Sequence, residues 1–108
     1  MIYYHGTYAA DIIRAEGFRV AGDDGVISKY GMPWVSLTDD RDLAESIGEV
    51  LTVDISGLRI MPKAMAEQGP NGLRAFVAWV ITQGYDGFEH PQENDELGIV
   101  LPAKLRLL

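Results

Sequence analysis

Apolar residues recur along the chain with two periods, and the places where one period gives way to the other predict its elements. Ile2–His5 is a short aromatic and apolar run stopped at Gly6, a first strand. Ala9, Ile12 and Ile13 then fall at i, i+3 and i+4, one face of a helix that Gly17 can close. Phe18-Arg19-Val20 alternates as a brief strand. Between Ala21 and Pro33 the period disappears among three glycines, two aspartates and a proline, which predicts a long loop. Trp34–Leu37 resumes as a strand. Thr38 or Asp39 is placed to cap the helix that follows, and Asp39, Asp40 and Asp42 sit where its dipole favours negative charge. Leu43, Ala44 and Ile47 give that helix an apolar stripe, and Gly48 ends it.

Val50–Ile55 is the clearest strand, with Leu51, Val53 and Ile55 alternating against Thr52 and Asp54. Ser56–Gly69 is irregular, with Pro62 and a helical turn around Ala64. From an Asn71 cap, Leu73, Phe76, Val77, Val80 and Ile81 occupy i, i+3, i+4, i+7 and i+8, the stripe of a core-facing helix that Gly84 closes. Tyr85–Glu89 and Leu97–Leu101 are strands joined by the polar turn His90–Glu96. Leu105–Leu107 follows Pro102 as a last edge. Short strands interleaved with small helices define one α+β domain, without repeats or a linker.

Charge and composition narrow the function. The chain has 108 residues, with nine Lys and Arg against sixteen Asp and Glu, a net charge of −7. That field repels a polyanion unless cations gather in one place, and here they are scattered from Arg14 to Arg106. General nucleic-acid binding is disfavoured. Cysteine is absent, which removes disulfides, thiolate metal sites and cysteine nucleophiles. Two histidines, His5 and His90, cannot make a multi-histidine metal site alone. No signal-peptide pattern opens the chain, and Phe76–Ile81 is far too short to span a bilayer. A soluble cytoplasmic protein is expected.

The general catalytic templates do not occur: no phosphate-binding Gly-rich loop, no GxGxxG, no HExxH, no nucleophile elbow. Acidic pairs such as Asp23-Asp24, Asp39-Asp40 and Asp95-Glu96 can hold a hard cation, but such pairs are most often solvated loops. His5-Gly6-Thr7 carries more. A histidine at a strand end beside a glycine sets an imidazole next to approachable backbone groups, which can grip a planar carboxamide; the plain alternative is a polar strand end and a turn glycine. Two further segments follow in order. Gly31 precedes Trp34-Val35-Ser36-Leu37-Thr38 and a helix with Ala44. Gly84-Tyr85-Asp86-Gly87-Phe88 precedes an acidic turn and Asp95-Glu96-Leu97-Gly98-Ile99-Val100-Leu101-Pro102.

Together these segments resemble the signature of the ADP-ribosyltransferase fold, over nearly the whole chain from Tyr3 to Leu107. The resemblance implies a split, bent, antiparallel-rich sheet with small helices around an NAD+-binding cleft. It implies that His5 and Glu96 are catalytic: His5 would hold a ribose hydroxyl, and Glu96 would face the ribose as its glycosidic bond opens. Gly6 would clamp the nicotinamide carboxamide through its backbone, so that a side chain there would weaken NAD+ binding in a folded protein. Thr7, Ser36 and Thr38 would line the cofactor side. The tyrosine that many members stack on nicotinamide falls near Ser46 or Ile47, so Tyr30 or Trp34 would replace it. Counting back from Ile99-Val100 puts the family's glutamate on Leu97, one residue from Glu96, unless Gly98 marks a bulge. Glu93 is the fallback.

The expected function is NAD+-dependent mono-ADP-ribosyl transfer to a protein acceptor, and the small size fits a toxin or phage effector by family analogy. One competitor is a member without catalysis that binds and inhibits a partner protein. Another is transfer of an RNA 2′-phosphate to NAD+, which needs gathered cations that the sequence does not offer.

Overall fold

The computed structural model describes residues 1–18, 33–93 and 95–108. The described strands are β1 (Ile2–Thr7), β2 (Val35–Thr38), β3 (Glu49–Asp54), β4 (Ile60–Met61), β5 (Gly87–Glu89), β6 (Glu96–Ile99) and β7 (Arg106–Leu107). The described helices are α1 (Ala10–Glu16), α2 (Arg41–Ile47), α3 (Lys63–Ala66) and α4 (Leu73–Thr82). The strands form one curled sheet in the order β4-β5-β6-β2-β1-β3-β7. Every neighbouring pair is antiparallel except β4–β5. The domain is α+β, as the periodicities predict.

The pairing is uneven in a way that positions the site. β1 and β3 share six consecutive pairs, from Ile2↔Asp54 to Thr7↔Glu49, and β2 and β6 share four, from Val35↔Ile99 to Thr38↔Glu96. β1 and β2 meet only at Tyr4↔Thr38. The ladder is therefore almost interrupted in the middle of the sheet, and beyond Tyr4 the two strands diverge.

Strand alternation sorts the core into two clusters. Val35, Leu37, Leu51, Val53, Leu97 and Ile99 lie on one face and pack with Ala10, Phe18 and Ile55. Phe88 lies on the other face and packs with Trp34, Met61, Ala66, Val80 and Val100, beneath Phe76, Val77 and Trp79. Burying a side chain the size of Phe88 or Leu37, each 1% exposed, contributes about 1.5–3 kcal/mol.

Several sequence expectations need correction. Ile60–Met61 adds a strand inside the stretch expected to be irregular: pairing with Gly87 and Phe88 supplies the order that two residues of local pattern could not. Asp40, not Thr38 or Asp39, caps α2, its carboxylate accepting from the N–H groups of Asp42 and Leu43. Of the α2 stripe only Ala44 is buried, while Leu43 and Ile47 are exposed, because the helix lies so close to β1 that only a small residue fits between. Gly72, not Asn71, precedes α4; its φ of 93° suits glycine. Leu73 and Ile81, at the ends of the α4 stripe, are exposed, and Phe76, Val77 and Val80 make the contact. The strand expected at Phe18–Val20 and most of the loop expected at Ala21–Pro33 lie outside the described residues.

Candidate functional site

His5 stands where β1 and β2 part. The Ser36 carbonyl on β2, without a ladder partner on β1, lies 2.8 Å from His5 Nδ1. A carbonyl can only accept, so Nδ1 carries the proton and Nε2 is left as an acceptor in the neutral ring. Burial pushes the His5 pKa below its ordinary value, against the opposing pull of the Ser36 carbonyl, and the ring is neutral at pH 7. Phe18 meets the ring edge-on, centroid to centroid 5.3 Å. This tautomer leaves Nε2 able to accept a hydrogen bond from a hydroxyl or an N–H.

The residues around it divide differently from the expectation. Ser36 is exposed, and its carbonyl rather than its hydroxyl bonds to the imidazole. Thr7 Oγ1 accepts from the Ala9 N–H in the turn before α1; Thr38 is buried, and its Oγ1 accepts from the Asp40 N–H in the turn before α2. Gly6 is required by packing: a Cβ there would overlap the backbone carbonyl of Ala44 on α2. The expectation that Gly6→Val leaves a folded protein conflicts with this packing. Trp34 is buried against Phe76, Phe88 and His90, which leaves it no free face for nicotinamide. Tyr30 lies outside the described residues.

Glu96 and His5 do not share a face of the sheet. Glu96 pairs with Thr38, and Thr38 with Tyr4, so these three project to one side, while His5, next to Tyr4 and opposite Leu51, projects to the other. The β2–β6 register runs without a break through Gly98, which rules out the bulge that would have turned Glu96 around. Gly98 has a packing reason instead, since a Cβ there would overlap the Phe88 ring. The position on the His5 face is Leu97, which is buried.

At the end of that face lies a cleft of about 330 Å³, lined by Tyr3, Lys63, Glu89, His90, Glu93, Asp95, Glu96 and Leu97. It brings both Glu96 and the fallback Glu93 to its rim. Burial raises the pKa of the Tyr3 phenol, and the negative charges of Asp39, Glu89 and Asp95 push it further. Sequence reasoning missed Tyr3 and Glu89. Tyr3 precedes His5 by two and so shares its side; Glu89 required knowledge of the β5–β6 register, where it pairs with Leu97.

Asp86 of the Gly-Tyr-Asp-Gly step serves the fold. Its carboxylate accepts from the Arg59 N–H at 2.8 Å and from Lys104 Nζ at 2.6 Å. Its carbonyl accepts from the N–H groups of Val100 and Leu101. Burial alone would raise its pKa, but the Arg59 N–H and the Lys104 ammonium outweigh it and hold the carboxyl below the ordinary value.

Among the described residues no helix is long and apolar enough to cross a membrane, and no three His, Asp or Glu gather as metal ligands. No protein-family model, no curated protein and no solved structure matches the chain.

Proposed function

We propose that the chain is a NAD+-dependent mono-ADP-ribosyltransferase acting on a protein acceptor. One observation carries the reading: three motifs far apart in sequence, at His5, Ser36 and Glu96, stand on the adjacent strands β1, β2 and β6, with the imidazole bonded to the Ser36 carbonyl. His5 Nε2 accepts a ribose hydroxyl and orients the dinucleotide. A carboxylate at the acidic end of the His5 face opposes the positive charge that develops on the ribose as the C–N bond to nicotinamide opens. It also takes the proton of the attacking acceptor. Labelled NAD+ incubated with the purified chain and a bacterial lysate should label a protein band and release nicotinamide. Nicotinamide release without label would mean simple hydrolysis, and intact NAD+ would end the transferase reading.

A second reading draws on Leu97. A buried leucine at the position where the motif count puts the family's glutamate favours a member that binds NAD+ or a partner protein without transfer. Binding measured by calorimetry, with NAD+ left intact, is its signature. Transfer of an RNA phosphate has the least support, since Arg14, Arg41 and Lys104 are each engaged with carboxylates.

A further inference from the structure

We propose that Glu89 on β5 is the catalytic carboxylate of this chain, acting from the strand beside the one on which the motif places it; the assignment rests on the transferase reading above. Leu37, Leu97 and Glu89 are successive register partners across β2, β6 and β5, so their side chains leave the same face of the sheet. That face is the one from which His5 and Tyr3 project. Glu89 is exposed and lines the cleft together with Leu97 and Tyr3. A leucine cannot oppose a developing cation. The next side chain in the same row can, because a glutamate reaches across one strand spacing of about 4.8 Å.

The charge balance fits the chemistry. In the reaction the bond between ribose C1′ and the nicotinamide nitrogen breaks and its electron pair leaves with neutral nicotinamide. A new bond forms between C1′ and the acceptor's nucleophilic atom, whose proton passes to the Glu89 carboxylate. Glu89 already acts on its surroundings: its charge, after burial and with that of Asp39 and Asp95, raises the Tyr3 phenol. The same field at C1′ lowers the energy of the cationic transition state while changing the ground state little. Glu96 and Glu93 line the same cleft, but Glu96 belongs by register to the Thr38 face, and Glu93 stands in the turn outside both strands.

Glu89→Gln, Glu96→Gln and Glu93→Gln should be compared for nicotinamide release, label transfer and NAD+ affinity. Glu89 is exposed, so the Gln variant should keep the wild-type melting temperature. Glu89→Gln should slow nicotinamide release by about a hundredfold or more, with the NAD+ dissociation constant within about twofold. Glu96→Gln and Glu93→Gln, on the rim of the same cleft, should each slow release by much less than Glu89→Gln does. If the wild type releases nicotinamide and Glu96→Gln or Glu93→Gln is the variant that loses it, the Glu89 assignment falls and the transferase reading stands. The assignment falls in the same way if all three keep full rate. If the wild type leaves NAD+ intact, both fall.

Discussion

The His5-Gly6 step on β1 and the Asp86-Gly87 step at the head of β5 are made of the same parts, a titratable side chain beside a glycine. Their side chains end up in different roles. Asp86 has both carboxylate oxygens committed, to the Arg59 N–H and to Lys104, and its carbonyl joins two turns of chain. His5 commits one ring nitrogen to Ser36, and among the described residues the other has no partner. The two glycines, by contrast, do the same thing. Each allows the backbone of another segment to come close: Ala44 over Gly6, and the Gly98 carbonyl, 2.6 Å from where a Cβ would lie, over Gly87. Spare hydrogen-bonding capacity, rather than the motif around it, is what separates the two side chains.

The largest effect expected from breaking this comparison is on Gly6. Even Gly6→Ala sets a Cβ against the Ala44 carbonyl, and backbone cannot swing aside as a flexible side chain can. The variant should lose about 3 kcal/mol in denaturant unfolding, at the upper end of overpacking costs, and Gly6→Val more. A folded Gly6→Ala protein of unchanged stability that binds NAD+ more weakly would restore the carboxamide clamp as the reason for this glycine.

Asp86→Ala comes next. It strips an acceptor from the Arg59 N–H, in a part-buried bond, and a partner from the half-exposed Lys104, and should cost roughly 1–2 kcal/mol. Asp86→Asn, which keeps one oxygen, should recover part of that. Because its carboxyl is held below the ordinary value, the unfolded chain takes up the proton first as pH falls. This contribution is fully present above about pH 4 and is lost as pH drops through the folded pKa. Nicotinamide release per folded molecule should not change; a selective loss of turnover would move Asp86 into the site.

The fold was legible where one face of an element is buried over several residues. The alternation of Leu51, Val53 and Ile55 places β3, and Phe76, Val77 and Val80 place α4. β4 was not legible, because two residues carry no period and the strand exists through its pairing with β5. The motifs located three strands that do become neighbours, and His5 and Ser36 do come together. What the motifs could not give was parity. Glu96 and Leu97 are adjacent letters on opposite faces, and only the β2–β6 register decides which of them looks toward His5.

The smallest effect tests whether His5 is held neutral for a ligand or only for the fold. Burial sets its folded pKa below 6.5, the Ser36 bond opposing, so in acid the unfolded chain binds the proton first. The contribution to stability is complete above the unfolded pKa and declines as pH falls from about 6.5 toward the folded value. That window opens at a higher pH than the one for Asp86. His5→Gln should flatten the slope of stability between about pH 7.5 and 5 by less than either substitution above changes stability. NAD+ affinity supplies the second readout. Protonated Nε2 donates and can no longer accept from a hydroxyl, so wild-type affinity should weaken over the same window and His5→Gln should lack that dependence. A stability slope that follows His5 with an NAD+ affinity that ignores pH would leave the imidazole a purely structural bridge across the β1–β2 opening.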